Sequence, residues 1–178
     1  GAKVLTLSDS SGFIHDPSGI NHDKLKYIMD LKNIQRGRIS MYVKKYPKAK
    51  FYSKQNPWSV PCHIAIPCAT QNELTESDAK MLIKNGLTTI GEGANMPCTP
   101  KAIKAFKSNK ILYAPGKASN AGGVAVSGLE MAQNSLRYTW SRDFVDGKLK
   151  EIMSEIHSSC LEYGKEKNNI DYLKGANI

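Results

Sequence analysis

Apolar runs of strand length alternate with segments of helical period along this chain, and no other feature constrains its fold as much. The alternation is that of βα units, whose strands build a largely parallel sheet flanked by helices. Val4 to Ser8 reads as a first strand. Helical spacing then runs from Leu25 through Ile28 and Met29 to Lys32; Gly37 interrupts it, and Ile39, Tyr42 and Val43 resume it, which predicts two short helices. A buried strand follows at Ile64 to Cys68, then a helix that Thr75 can cap with Asp78 three residues on and that Gly86 ends. The next strand is Leu87 to Gly91. Thr99-Pro100 starts another helix, because proline at the first helical position gives up only an N–H that had no partner. Its residues Ile103 and Phe106 face inward. Ile111 to Ala114 is the last strand, Gly122-Gly123 opens a helix with Val124, Ser127, Met131 and Leu136 at helical intervals, and a final helix carries Val145, Leu149, Ile152, Met153, Ile156 and Cys160 along one side up to Gly164.

A chain of 178 residues, 40% hydrophobic and 23% charged, fits one soluble globular domain. No stretch approaches the run of about 20 apolar residues that a spanning helix needs. The four cysteines, Cys62, Cys68, Cys98 and Cys160, lack CxxC spacing, so reduced thiols in an intracellular compartment are expected. The four histidines are equally scattered, and no metal site is expected. A net charge of +9 raises nucleic-acid binding as an alternative. Its best carrier is KKYPKAKFYSK at 44–54, where five lysines interleave with Tyr46, Phe51 and Tyr52. A lysine run is more often a solvated face.

In open α/β sheets ligands bind beyond the carboxyl ends of the strands. The loops there read SDSSG, ATQNE, EGANMP and PGKASNAGG. Each is dense in small or amide side chains, which admit a ligand to the backbone and offer hydrogen bonds. Together they point to a long polar ligand.

PCATQNEL, EGANMP and PGKASNAGGVAVSGLEMAQN resemble the coenzyme-domain sequences of hexameric NADP-type glutamate dehydrogenases, and the register holds from SDSSG to KGANI. The resemblance implies a Rossmann-like NADP(H)-binding domain over 1–178, incomplete at its amino-terminal end, within a homo-hexamer acting on 2-oxoglutarate, ammonia and glutamate. It also implies that the glycine-rich first βα unit and the substrate domain, with its catalytic lysine and aspartate, lie upstream of Gly1. No catalytic residue is therefore expected in this segment. A cytoplasmic location is expected, with an organellar one left open.

The resemblance puts Ser8, Asp9 and Ser10 around the adenosine ribose phosphate, with Lys32 reaching in from the next helix and Arg36 and Arg38 able to add charge; a solvated cationic cluster is the alternative for Arg36. Ala69 and Thr70 lie where backbone passes the coenzyme, and Gln71 and Asn72 can donate to it. Asn95 resembles the residue at the nicotinamide ribose and Asn120 the one holding the carboxamide, a group with one donor and one acceptor face that a side-chain amide suits. Amides that only cap turns are the plainer reading. Ser127 and Val124 share a helix face that, by resemblance, meets the side-chain carboxylate of glutamate; a small residue that permits close packing is the alternative at Ser127. An amino-acid dehydrogenase for apolar substrates shares the domain plan but has no use for that hydroxyl. His63 departs from the family pattern, where an acidic residue is expected before the strand.

Overall fold

Short apolar strings bounded by tight turns build the strands. The computed structural model describes residues 1–167 and 169–177 and divides into two units, Gly1–Pro61 and Cys62–Ile178. Ile178, the last residue of KGANI, lies outside the described residues.

In the first unit β1 (Thr6–Asp9), β2 (Gly12–His15) and β3 (Lys50–Ser53) form an antiparallel sheet in the order β1-β2-β3. This departs from the single, largely parallel sheet expected, and the cause is local. The Asp9 carboxylate accepts from the backbone N–H and hydroxyl of Ser11, at 2.9 and 2.6 Å, and so closes a two-residue turn. Gly12 completes it at φ +140°, where a Cβ would run into the Tyr52 carbonyl. The chain therefore folds back into β2 before reaching α1 (His22–Asn33), which Asn21 caps by accepting from the Lys24 N–H. A 3₁₀ turn at Ile39–Met41 leads into α2 (Tyr42–Lys45), so the second helix is a short one. Ile14, Ile28, Ile39, Tyr42 and Ala49 form the core between sheet and helices.

Beneath that core Asp16, 1% exposed, gathers donors. Its carboxylate accepts from Lys24 Nζ and the Tyr42 hydroxyl, both at 2.7 Å, and from the Ser18 N–H and hydroxyl. Burial alone would raise its pKa, but these hydrogen bonds outweigh it and hold the group below the ordinary carboxylate range.

The second unit follows the βα expectation. Strands β4 (Ile64–Ala65), β5 (Thr89–Gly91) and β6 (Leu112–Ala114) pair in parallel in that order. Between them run α3 (Glu76–Lys84) and α4 (Pro100–Ser108). Thr75 and Asp78 form a reciprocal capping box at the start of α3, and Thr99 caps α4 ahead of Pro100. Leu74, Ala79, Leu82, Ile90, Ala102 and Phe106 fill the core, while Ile103 is half-buried. Ile64 in the edge strand β4 and Ile66 just after it are exposed. PGKASNAGG is not an open loop: Gly116–Ser119 is one helical turn, α5, and α6 (Ala121–Leu136) follows after Asn120.

The left-handed Arg137 ends α6. After it, α7 (Arg142–Gly164) turns Val145, Leu149, Ile152, Met153, Ile156 and Cys160 away from solvent along one side. Gly122 of α6 lies beside Leu149 and Met153. A last turn, α8 (Tyr172–Gly175), packs on α7 so closely that a Cβ on Gly175 would strike the Cys160 carbonyl.

Candidate functional site

The three loops that follow the parallel strands are joined to one another. Asn72 adopts φ +57° and donates its N–H to the Met96 carbonyl at 3.0 Å, so ATQNE lies against EGANMP. Met96 is itself left-handed, at φ +50°. Two non-glycine residues in this region at one contact mark backbone fixed by its surroundings. The Ala69 N–H donates to Glu73 Oε1 at 2.8 Å, which closes ATQNE on itself. On the other side Asn120 Nδ2 donates to the Ala94 carbonyl at 2.9 Å and joins PGKASN to EGANMP. Ala69, Thr70, Gln71, Asn72 and Asn95 are exposed and Asn120 is half-buried. Side-chain amides and open backbone thus line the carboxyl ends of β4, β5 and β6, where such a sheet receives ligands.

Glu92 holds this arrangement from below and was not singled out in the sequence. It is 3% exposed, and its carboxylate accepts from the Gly116 N–H at 2.8 Å and the Cys98 N–H at 3.3 Å. Burial, reinforced by the negative charge of Glu92, drives the pKa values of the Cys98 thiol and the Tyr113 hydroxyl upward. The Ser119 hydroxyl donates to the Glu92 carbonyl at 2.6 Å. The available signal was an acidic residue directly after an apolar strand, in a position with no water to solvate it.

In the first unit Lys32 pairs with Asp9, next to Ser10. Lys32 Nζ lies 2.8 Å from Asp9 Oδ2 and 3.1 Å from the Gly37 carbonyl. The Ile39 N–H donates to the same Oδ2 at 2.8 Å, so with Ser11 on Oδ1 four protein donors occupy the four acceptor positions of the carboxylate. Burial would raise the Asp9 pKa, but Lys32, Ser11 and Ile39 together hold it below the ordinary range. Asp9 therefore orients Lys32 and the turn at Ile39. Arg38 donates to the Ser10 hydroxyl at 2.6 Å, while Ser8 and Arg36 are exposed. Two cations and a hydroxyl around one turn suit a phosphate dianion.

Val124 and Ser127 stand on a helix with no buried residue, Val124 being 80% exposed. Ser127 is exposed as well. The aromatics of KKYPKAKFYSK are used internally: Tyr46 packs on Tyr27 and Tyr42, Phe51 joins the core, and Tyr52 stacks on Phe13 at 4.7 Å. Little aromatic surface is left there for stacking bases. His63 is exposed, and its carbonyl accepts from Thr88 and Thr89.

The family model for Glutamate/Leucine/Phenylalanine/Valine dehydrogenase matches residues 1–178. An NAD(P)-specific glutamate dehydrogenase of Xylanibacter ruminicola is 56% identical over the whole chain, which covers 40% of that relative. An NADP-specific glutamate dehydrogenase of Haemophilus influenzae is 51% identical with the same coverage, and NAD-specific relatives stand at 48% and 49%. The crystal structure of Plasmodium falciparum glutamate dehydrogenase superposes with a TM-score of 0.92 at 51% identity, covering 98% of this chain and 38% of that one. The chain thus spans about 40% of the length of the relatives it matches.

Proposed function

The chain belongs to the Glutamate/Leucine/Phenylalanine/Valine dehydrogenase family, and on that premise we propose that it is the NADP(H)-binding part of a glutamate dehydrogenase. The complete protein would interconvert 2-oxoglutarate plus ammonia with glutamate, as a cytoplasmic homo-hexamer whose catalytic lysine and aspartate lie outside this segment. The same reading makes the segment a partial Rossmann-like domain, completed by a glycine-rich βα unit of the complete protein. The observation that carries the proposal is the joined set of loops beyond the parallel strands, with Asn95 and Asn120 tied through Ala94.

The residues present fit the coenzyme. Ser10, Lys32 and Arg38 offer the donors that a 2′-phosphate requires, and Asp9 fixes the lysine among them. Ser8 flanks the same turn. Ala69 and Thr70 offer backbone, Gln71 and Asn72 offer donors to ribose and phosphate, and Asn95 and Asn120 hold the nicotinamide ribose and carboxamide. When bound, NADP supplies the hydride chemistry, while the protein orients it and excludes competing reactions. Ser127 would donate to the distal carboxylate of glutamate, and Val124 would bound the pocket. NADP(H) is favoured over NAD(H) by Arg38 at Ser10 and Lys32 at Asp9, since a ribose hydroxyl has no use for two cations.

Initial rates of coenzyme oxidation by the complete protein test this reading. Ammonia-dependent oxidation of NADPH with 2-oxoglutarate, faster than with NADH and faster than with branched apolar 2-oxo acids, is the expected result. Preference for an apolar 2-oxo acid would reassign the enzyme within its family, and no turnover of any 2-oxo acid would refute the proposal.

A further inference from the structure

Resting on the coenzyme reading above, we propose that Glu92 is a positioning residue for the nicotinamide half of the site, setting where Asn95 and Asn120 stand relative to each other. The carboxylate lies at the carboxyl end of β5, buried, between the two loops that carry these amides. One oxygen takes the Cys98 N–H, three residues beyond Asn95, and the other takes the Gly116 N–H, four residues before Asn120. The backbone of Glu92 extends the same link, donating its N–H to the Ala114 carbonyl at 3.0 Å and accepting the Ser119 hydroxyl at 2.6 Å. Asn120 Nδ2 then closes the circuit on Ala94, two residues past Glu92.

A carboxylate is suited to this place because the groups held on its two oxygens, the Cys98 and Gly116 backbone N–H, are both donors. An amide in its place would turn an N–H toward one of these donors, and the loop on that side would have to withdraw. There is little room for a compromise. A Cβ at Gly116 would already lie 3.0 Å from the Ala94 carbonyl oxygen, 3.2 Å from Glu92 Oε2 and 3.3 Å from Asn120 Nδ2. The loops are thus fitted to each other around this carboxylate, and a change in its charge pattern moves both amides together.

The test uses the complete enzyme with Glu92→Gln, and Ser119→Ala as a milder variant that removes the hydroxyl reaching the Glu92 carbonyl from beside Asn120. Two ligands are titrated, NADPH and adenosine 2′,5′-bisphosphate, the second lacking the nicotinamide half. Glu92→Gln should weaken NADPH about tenfold or more and Ser119→Ala about threefold, while the affinity for the adenosine fragment stays within about twofold in both. Parallel loss of both ligands would reduce Glu92 to general structural support and overturn the inference, as would unchanged NADPH binding. Should Glu92→Gln fail to fold, the Ser119→Ala pair of titrations decides in the same way. Wild-type enzyme that does not bind NADPH would instead overturn the coenzyme reading itself.

Discussion

Replacing Asp16 by Asn should destabilise the first unit by about 4 to 6 kcal/mol, because a buried carboxylate that receives an ammonium and a phenol cannot be copied by an amide. The magnitude follows from what each partner loses. Tyr42 is fully buried, and with the donor-only amide nitrogen in place of Oδ2 its hydroxyl would lose its acceptor, while the flipped amide would strand the Ser18 donors instead; either costs about 1 to 3 kcal/mol. Lys24 is 15% exposed and keeps its bonds to the Ser18 hydroxyl and the Gly19 carbonyl, so its loss lies at the low end of the 3 to 5 kcal/mol typical of broken buried pairs. Tyr42→Phe removes one donor and leaves the charge paired, and should cost about 1 kcal/mol. Hydrogen exchange of the Ile14 and Ile28 amides in the complete protein would isolate the effect from the rest of the chain, since local opening reports local stability. The same group makes a pH prediction. The folded pKa of Asp16 is depressed, so its contribution is complete above the unfolded value of about 3.9 and is lost as pH falls through the folded one. Protection of these amides should therefore drop as pH falls below about 4, and Asp16→Asn should flatten that drop. Protection within about 0.5 kcal/mol of wild type in Asp16→Asn would refute the reasoning.

Lys32→Ala should weaken NADPH by at least about tenfold and NADH much less, because a charge-assisted bond to phosphate is removed; equal losses by titration would exclude a phosphate role. Stability should change by less than about 1 kcal/mol, since the Lys32 side chain in its pair with Asp9 is 36% exposed. Ser127→Ala should lower kcat/KM for glutamate by at least about tenfold, and unchanged kinetics would leave the hydroxyl without a substrate role. Gly175→Ala should lower the melting temperature and loosen α8 from α7, costing about 1 to 3 kcal/mol as the added methyl meets the Cys160 backbone; an unshifted melt would show that α8 docks differently.

The parts of the fold that were legible carried local chemical signals. Thr75 with Asp78 and Thr99 with Pro100 state helix starts in their own side chains, and the structure has both. The spacing from Val145 to Cys160 likewise marks the sheltered side of α7. The antiparallel hairpin was not legible, because GFIH and KFYS are too short for a period of two to stand out from a helical one. Its decisive contact, Asp9 to Ser11, reads in sequence as an ordinary polar loop. Asp16 and Glu92 were hidden for a related reason: a carboxylate in HDPSG or EGANMP looks like a turn residue until its burial is seen. The candidate amides were legible from the loops that carry them, whereas the hydrogen bonds that join those loops run through backbone atoms, which sequence does not display.

A crystal structure of the complete protein with NADP⁺ tests the central claim most directly. The account predicts the 2′-phosphate within hydrogen-bonding distance of Ser10 Oγ and Lys32 Nζ, the nicotinamide ribose beside Asn95 and the carboxamide against Asn120. Coenzyme seated away from these residues, with the loops after β4, β5 and β6 making no contact to it, would contradict the account.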